Sequence, residues 1–374
     1  MKRFLVYGLS NQWGGIEAIV HSIINQLENN IQFDILISGK GTDMRHKAHG
    51  RNVKIIPITA WGTNVRKFRN ELKIIVSNTH YDYVWINASL MCNRDIISVT
   101  RKYSQAEIIT HSHGTYFEEE NKLKEKILLF LHSMNRSYYS KNVKYKLMCS
   151  EASGKWFYGE KASDSGELHL IKNGIDTSVF KFDNNTRNNL RTSLGLTDEK
   201  VILHAGRLTE VKNQKFLIRL MRQIADQKMN VKLLIVGDGE LRAELEDLIT
   251  RLELNTFVML LGSRSDINHF YQASDIFVLP SLHEGFPVTL TEAQTAGLPC
   301  VVSDRVSKET NITGAVKFLP IDNSSYSKWI EEIDKINFSI DQRKYIGNLV
   351  IQNHFDISDV AKDFKSILGI SADI

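Results

Sequence analysis

The most constraining feature of this sequence is the alternation, from end to end, of short β-rich runs with longer amphipathic helical patterns. Thirteen runs predict strands: Arg3–Leu9, Phe33–Ser38, Val53–Ile58, Tyr83–Asn87, Glu107–Thr110, Lys146–Cys149, His169–Ile171, Val201–Ala205, Lys232–Val236, Phe257–Leu261, Ile276–Leu279, Pro299–Val302 and Val316–Leu319. Helical patterns lie between them, among them Ile16–Leu27, Lys215–Ala225, Glu240–Leu252 and Val288–Ala296. Such alternation is typical of β-α-β crossovers, which build parallel sheets covered on both faces. We therefore predict an α/β fold with two doubly wound, Rossmann-like domains in tandem.

The domain boundary is predicted near residue 174. At about 150 residues per domain, 374 residues correspond to two domains that can each bury a core. The turn Asn173–Asp176 and the polar stretch Lys181–Arg191 favour domains over residues 1–173 and 174–354. A last helical pattern, Val360–Leu368, has no strand after it and needs an apolar surface to cover. We predict that residues 355–374 pack back on the first domain.

Charge and cysteine content exclude several classes of protein. The chain has 47 basic and 43 acidic residues, and a net charge of +4 is too small to indicate a nucleic-acid partner. Cys92, Cys149 and Cys300 have neither disulfide nor metal-ligand spacing, which favours a reducing cytoplasm and predicts no metal site. The longest purely apolar run, Ile127–Leu131, is far below the ~20 residues of a membrane span. The N-terminal apolar run is also too short for a signal peptide.

Motifs directly after predicted strands are the best candidates for a site, because open α/β sheets bind ligands at the carboxyl ends of their strands. Gly14 and Gly15, between the first strand and the first helix, would let backbone N–H groups approach an anion. A plain turn is the alternative. Arg207 and Lys212 follow the strand Val201–Ala205 and can converge on a diphosphate. Solvated surface charges are the alternative there.

A third motif spans Leu279–Asp304 and carries two spaced carboxylates. Glu284 lies in a loop after a strand, and Glu292 lies eight residues further on, within the following helix. Carboxylates so placed can accept hydrogen bonds from hydroxyls at two positions along a sugar-containing ligand. The helix starting near Val288 presents N–H groups to phosphate. A solvent-facing Glu292 is the alternative, but the small residues that follow it favour close packing.

Together these motifs resemble retaining glycosyltransferases of family 4. The resemblance rests on GGIE (14–17), GRLTEVKNQ (206–214), VGDGE (236–240) and PSLHEGFPVTLTEAQTAGLPCVVSD (280–304). CSEASGKWFYG (149–159) and HSHG (111–114) are similar to the bacterial capsular and exopolysaccharide branch. The resemblance implies the GT-B architecture: two facing Rossmann-like domains with an interdomain cleft, the first on the acceptor side and the second binding the nucleotide-sugar.

The resemblance also implies roles for the candidate residues. Arg207 and Lys212 would hold the donor's diphosphate, and Glu292 would accept the ribose hydroxyls. Glu284 would contact hydroxyls of the transferred sugar. Gly15, next to Gly14, would offer its backbone N–H to the phosphate.

One position departs from the family pattern. The family usually has glycine where this chain has Pro287, and proline has no N–H to donate. The remaining cradle would then come from Phe286, Val288 and Thr289. The stretch Gly262–Arg264 would meet the base through backbone groups, which makes Arg264 a donor-binding candidate.

Two histidines follow the predicted strand Glu107–Thr110. In the family a histidine of this loop commonly lies near the transferred sugar, and we expect His113 rather than His111 to do so. A satisfied loop or core histidine is the alternative.

The implied reaction moves a hexose or N-acetylhexosamine from a nucleotide-sugar, expected to be UDP-linked, to a saccharide acceptor. The acceptor is expected to be linked to a polyprenyl lipid, in capsular or exopolysaccharide synthesis. No Asp-x-Asp occurs in the chain, which favours metal-independent transfer with no cofactor besides the donor. Two alternatives stay open: a sugar-nucleotide epimerase or hydrolase of the same fold, and a non-catalytic nucleotide-sugar-binding subunit.

Residues 121–146 form a basic, partly apolar segment. The segment contains one acidic residue, Glu125, and seven Lys and Arg residues, at positions 122, 124, 126, 136, 141, 144 and 146. Such a segment can lie on an anionic membrane surface, at the inner face of the cell membrane. A core-packing helix with a solvated basic face is the equal alternative.

Overall fold

The computed structural model describes residues 1–11, 14–27, 31–38, 52–117, 121–163, 166–322 and 324–370. The chain divides into two compact units, one formed by Met1–Asn173 with Ile357–Ile374 and the other by Gly174–Asp356. Each unit contains one sheet, and every strand pairing in the described residues is parallel. The predicted α/β class with two Rossmann-like domains is confirmed.

Unit 1 contains a seven-stranded sheet in the order β3-β2-β1-β4-β5-β6-β7. Its strands β1 to β7 span Lys2–Leu9, Ile31–Ser38, Val53–Ile58, Tyr83–Ala88, Glu107–Ser112, Tyr145–Met148 and Leu168–Leu170. Its helices α1 to α6 span Gly15–Leu27, Val65–Asn78, Asp95–Tyr103, Lys122–Asn142, Glu151–Tyr158 and Glu160–Ser163.

Unit 2 contains a six-stranded sheet in the order β10-β9-β8-β11-β12-β13. Its strands β8 to β13 span Lys200–Ala205, Val231–Val236, Val258–Leu260, Ile276–Leu279, Cys300–Ser303 and Val316–Leu319. Its helices α7 to α14 span Thr177–Phe180, Asn184–Ser193, Gln214–Asp226, Arg242–Arg251, Ile267–Ala273, Val288–Thr295, Tyr326–Lys335 and Ile340–Gln352. Short 3₁₀ turns occur at Glu210–Lys212 and Lys308–Thr310.

Strand β8 shows why these runs form the centre of a sheet. Its successive side chains point to opposite faces, so Leu203 packs in one apolar cluster and Ile202 in the other. Both residues are at most 1% exposed. A strand covered on both faces reads as a continuous apolar run, which is the pattern of residues 201–205.

The last helix, α15 (Ile357–Ile367), is part of unit 1. Its Phe364 is fully buried, with its ring centroid 4.7 Å from that of Trp85 and 6.3 Å from that of Phe4. Just after the helix, the carbonyl of Leu368 accepts a hydrogen bond from the Tyr83 hydroxyl at 3.2 Å. Unit 2 runs through Asp356, two residues beyond the predicted residue 354.

The thirteen predicted strands coincide with β1 to β13, and every end agrees within two residues. One start differs for a clear reason. Pro299 precedes β12 instead of opening it, and its carbonyl accepts from the Phe277 N–H at 3.0 Å. A proline can take part in the ladder only as an acceptor because it has no N–H.

The basic stretch 121–146 is not one helix. Helix α4 ends at Asn142, and Lys146 lies in strand β6, where its mostly buried side chain pairs with Glu167. Across the described ranges, every helix falls short of the combined length and apolar character needed to cross a bilayer.

Candidate functional site

The candidate site of unit 2 lies where the strand order of its sheet reverses. Strands β8 and β11 are neighbours, with Ile276 paired to Ile202, and the chain winds outward from them in both directions. Such a switch point is where doubly wound sheets bind ligands. Arg207 and Lys212 follow β8, and Glu284 follows β11.

Two hydrogen bonds tie the loops after β8 and β11 together. The Leu282 N–H donates to the Val211 carbonyl at 2.8 Å, and Asn213 Nδ2 donates to the Pro280 carbonyl at 3.1 Å. Asn213 has a φ of +55°, a left-handed conformation that asparagine tolerates better than most residues. This turn brings Lys212 back toward the strand ends.

Lys212 and Glu284 form an ion pair between Nζ and Oε1. Their side chains are only 20% and 16% exposed. The backbone of Glu284 is held as well, because its carbonyl accepts from the Ser307 N–H at 3.2 Å. The pair therefore holds a cation and a hydroxyl-accepting carboxylate at the switch point.

A buried histidine, His204, helps to hold the loop that follows β8. His204 Nδ1 donates to the Val278 carbonyl at 3.0 Å, so its Nε2 accepts from Gln214 Nε2 at 3.1 Å. Burial lowers the pKa of His204 to about 4, and the nearby charge of Lys212 acts in the same direction. Gln214 Nε2 also donates to the carbonyl of Arg207 at 2.9 Å. This chain of contacts fixes the backbone of Arg207, whose side chain is exposed.

Glu292 lies within helix α12 and contacts a buried tyrosine. The hydroxyl of Tyr271, a fully buried residue, donates to Glu292 Oε2 at 2.7 Å. Burial raises the pKa of Glu292 to about 7, although the hydrogen bond from Tyr271 opposes the shift. The carboxylate of Glu292 therefore packs against the protein and does not point into solvent.

The start of helix α12 is uncapped by side chains. Pro287 stands at the cap position with a φ of −68°, and no side-chain cap hydrogen bond is formed there. Val288 is the first helical residue, and the buried Oγ1 of Thr289 has no hydrogen-bond partner in the described part of the chain. The Phe286 ring stacks on Phe355 at 5.6 Å.

Arg264 is not brought to the Lys212–Glu284 pair. It follows β10, two strands away from β8 at the edge of the sheet. Its Nε and Nη2 each donate to the carboxylate of Asp266 at 2.8 Å. The neighbouring Gly262 carbonyl accepts from the Gly237 N–H at 2.9 Å, which ties this loop to the loop after β9.

Unit 1 has a corresponding switch point between β1 and β4. Gly8, the next-to-last residue of β1, has a φ of +98°, and a Cβ at this position would lie 1.8 Å from the Asn87 carbonyl oxygen. His113, after β5, donates from Nε2 to Asn87 Oδ1 at 2.9 Å. Burial lowers the pKa of His113 to about 3, so its ring is neutral at physiological pH. His111 is completely buried beside it, with ring centroids 4.1 Å apart.

The Gly14-Gly15 turn precedes helix α1, which starts at Gly15. Glu17 folds back over this turn, and its Oε1 accepts from the Ser10 N–H at 2.7 Å. Its other oxygen would lie 2.9 Å from a Cβ on Gly14, so a carboxylate already occupies space at the helix start. Residues 12 and 13, just before this turn, lie outside the described residues.

Sequence reasoning missed several residues that position these groups, namely Tyr271, His204, Gln214 and Asn87. The sequence contained enough information to predict one of the contacts in this site, that between Lys212 and Glu284. Because β8 and β11 are adjacent in a doubly wound sheet, Lys212 and Glu284 follow neighbouring strands and can meet. Tyr271 lies in helix α11, and nothing in its local pattern points to Glu292.

The chain is similar in sequence to known glycosyltransferases. The model of the family described as glycosyl transferases group 1 matches residues 186–348. EpsF of Bacillus subtilis (strain 168), named as a glycosyltransferase, is 25% identical over 368 residues, covering 96% of this chain and 94% of EpsF. The UDP-Gal:alpha-D-GlcNAc-diphosphoundecaprenol alpha-1,3-galactosyltransferase of Escherichia coli is 37% identical over 145 residues, covering 38% of each chain.

The fold is also that of a solved structure. The crystal structure of Anabaena Alr3699/HepE in complex with UDP matches with a TM-score of 0.76 and 19% sequence identity. The match covers 99% of this chain and 100% of that chain. At this identity the likeness concerns the fold alone.

Proposed function

We propose that this chain, whose residues 186–348 match the model of the glycosyl transferases group 1, moves a hexose or N-acetylhexosamine from a nucleotide-sugar to a saccharide acceptor. The observation that carries the proposal is the Lys212–Glu284 pair at the switch point of unit 2. It offers a cation to a departing diphosphate and a carboxylate to sugar hydroxyls. A UDP-linked donor is supported by the UDP in the HepE complex and by the UDP-Gal in the name of the E. coli relative.

Donor binding would replace the ion pair between Lys212 and Glu284. Lys212 and the exposed Arg207 would turn to the diphosphate, and Glu284 would then accept hydrogen bonds from the transferred sugar. Glu292 would accept the ribose hydroxyls, with Tyr271 holding its carboxylate in place. Backbone groups around Val288 and Thr289 and beside Arg264 would complete the cradle.

In unit 1, we propose that Gly15 offers its N–H to phosphate and that His113 contacts the transferred sugar. In a neutral His113, Nε2 carries the proton and donates it in the hydrogen bond to Asn87. Nδ1 can then accept a hydrogen bond from a sugar hydroxyl. This arrangement suits positioning of a sugar better than general acid catalysis, since the low pKa disfavours a protonated ring.

The proposed reaction retains the configuration at the sugar's anomeric carbon. The bond from that carbon to the leaving phosphate oxygen breaks, and the bond to the acceptor oxygen forms on the same face. The acceptor's proton passes to the leaving phosphate. Arg207 and Lys212 would stabilise the negative charge that develops there, which supports metal-independent transfer without a further cofactor.

The proposed acceptor is a saccharide on a polyprenyl lipid, in capsular or exopolysaccharide synthesis. The E. coli relative is named for an acceptor on diphosphoundecaprenol, and HSHG and CSEASGKWFYG resemble the capsular branch. A lipid-linked acceptor would place the reaction at the inner, anionic face of the cell membrane, with the protein in the cytoplasm.

The test uses the purified full-length chain and a panel of nucleotide-sugars, first by thermal shift and then by transfer to a lipid-linked acceptor. A UDP-sugar should raise the midpoint of thermal unfolding. We expect Glu284→Gln to reduce transfer by about 100-fold or more while UDP still binds. Glu246→Gln, an exposed carboxylate on α10, is the control and should leave transfer unchanged.

Four outcomes would contradict the proposal or part of it. Full transfer activity of Glu284→Gln would show that the Lys212–Glu284 ion pair is not needed for the reaction. Accumulation of epimerised or hydrolysed donor without acceptor would favour the epimerase or hydrolase alternative, and donor binding without any turnover would favour a binding subunit. Activity lost in chelator and restored by manganese would contradict metal-independent transfer alone.

A further inference from the structure

Helix α4 (Lys122–Asn142) buries polar side chains on the face that packs against the rest of unit 1. His132 and Asn135 are 2% and 3% exposed. The Met91 N–H donates to His132 Nδ1 at 3.0 Å, and His132 Nε2 donates to the Trp156 carbonyl at 3.1 Å. Asn135 Nδ2 donates to the Cys92 carbonyl at 3.3 Å. The buried face is therefore held by backbone groups of other segments.

The opposite face of α4 exposes large apolar side chains. Leu123, Ile127, Phe130 and Met134 are 69%, 51%, 64% and 52% exposed. Their spacings of four, three and four residues put them on one side of the helix. We call these four residues the outer face. A row of exposed apolar residues on an otherwise polar surface marks an interaction site, whereas single ones are ordinary.

Basic residues accompany the outer face. Lys124 and Lys126 lie among its apolar residues in sequence, and Lys141 lies two turns beyond Met134 on the same side. The one acid of α4, Glu125, lies on the far side of the helix and pairs with Lys122 at 3.0 Å. The glutamates at 118–120 precede the helix and lie outside the described residues, so the charge argument concerns α4 alone.

We propose that the outer face of α4 docks on an anionic lipid surface. The four apolar side chains would enter the boundary between headgroups and acyl chains, and Lys124 and Lys126 would reach lipid phosphates. Among the described residues, the same face of α4 on a second copy would bring no acidic group to these lysines, whereas anionic headgroups would. The proposal goes beyond the transfer reaction, because docking needs neither donor nor acceptor.

The test is co-sedimentation with phosphatidylcholine vesicles, with and without phosphatidylglycerol, at low salt. We expect binding only to the anionic vesicles. Ile127→Glu and Phe130→Glu should each reduce the bound fraction by at least about tenfold, because a charge enters the apolar boundary. The matched control is Ile74→Glu, a 59% exposed residue of helix α2 whose neighbours at helical spacing are polar. Lys124→Gln with Lys126→Gln should weaken binding roughly thirtyfold.

Two results would overturn the proposal. One is the absence of binding to anionic vesicles at low salt. The other is a concentration-dependent dimer in light scattering that Ile127→Glu dissociates, which would assign the outer face to a second copy. Thermal unfolding of each variant and its UDP-induced shift are measured in parallel. Unchanged values separate a failure of docking from misfolding, and absence of any UDP shift in the wild type would count against the proposed function instead.

Discussion

Glu292 shows how burial and hydrogen bonding act against each other at one carboxylate. Burial raises its pKa to about 7, and the Tyr271 hydroxyl at 2.7 Å opposes that shift by stabilising the charged form. A ribose would donate its hydroxyls to the ionised carboxylate. The residue proposed to bind the donor is therefore one whose ionisation disfavours the folded state.

The direction of this effect with pH follows from linkage. The pKa of Glu292 is raised in the folded state, from an ordinary value of 4.5. Its favourable contribution to the free energy of unfolding is complete below 4.5 and is lost as pH rises through about 7. Glutamine imitates the protonated form, so we expect Glu292→Gln to be more stable than wild type by about 3 kcal/mol at pH 8 and about 1 kcal/mol at pH 5.

Urea unfolding at the two pH values measures this difference, and Glu246→Gln provides an exposed control. Tyr271→Phe keeps the carboxylate but removes its hydrogen bond, which should raise the pKa of Glu292 further. In that variant UDP binding should strengthen with pH around a higher midpoint than in wild type. A stability gain of Glu292→Gln that is equal at both pH values would refute the assigned ionisation.

The helices and loops show where sequence periodicity stops being informative. The strands were predictable because residues covered on both faces, such as Ile202 and Leu203, form continuous apolar runs. The orientation of helix α4 was harder to predict. An apolar stripe and a polar stripe both recur at helical spacing, and the polar stripe, with His132 and Asn135, is the buried one. Periodicity does not say which stripe faces inward when backbone groups from distant segments satisfy the polar one.

The candidate site was predictable as a set of residues and not as a set of contacts. Lys212 and Glu284 were predicted from separate motifs and for different parts of a ligand, yet they pair with each other in the structure. Tyr271 was missed because its contact with Glu292 depends on how helices α11 and α12 pack. Arg264 was predicted from its loop position, and its pairing with Asp266 depends on the turn that follows.

The crossing of two loops in unit 2 depends on a glycine. Gly237, after β9, has a φ of +142°, and a Cβ there would lie 1.9 Å from the Gly206 carbonyl oxygen. Gly206 begins the loop that carries Arg207 and Lys212. We expect Gly237→Ala to lower the free energy of unfolding by about 3 kcal/mol or more and to weaken UDP binding, because the backbone of this loop must move.

Gly314→Ala is the matched control for this prediction. Gly314 also has a positive φ, +78°, but nothing lies within 4 Å of its Cβ position. Alanine there should cost about 1 kcal/mol through backbone conformation alone and leave UDP binding unchanged. Equal losses in the two variants, by denaturant unfolding and by calorimetric UDP titration, would show that the close approach to Gly206 is unimportant.

The order of the chain links the two units in folding. The polypeptide completes unit 2 at Asp356 and only then supplies helix α15 to unit 1. Phe364 covers aromatic side chains of β1 and β4 that are themselves fully buried, Phe4 and Trp85. Unit 1 therefore lacks part of its core until helix α15 is present.

This arrangement predicts that a change in the last helix acts on the first unit. Phe364→Ala should destabilise unit 1 by about 3–5 kcal/mol, because it removes a fully buried ring. Hydrogen exchange measures each unit separately, which matters because two-domain chains need not unfold in one step. Amides of β1 and β4 should exchange faster, while those of β8 and β11 keep their protection.

Two further variants make the prediction specific. Phe277→Ala removes an equally buried ring from β11 and should give the reciprocal pattern, with faster exchange in unit 2. Lys362→Ala changes an exposed side chain of the same last helix and should leave both units unchanged. If Phe364→Ala accelerated exchange equally in all four strands, the two units would unfold together, and α15 could not be assigned to unit 1 as a separate folding unit.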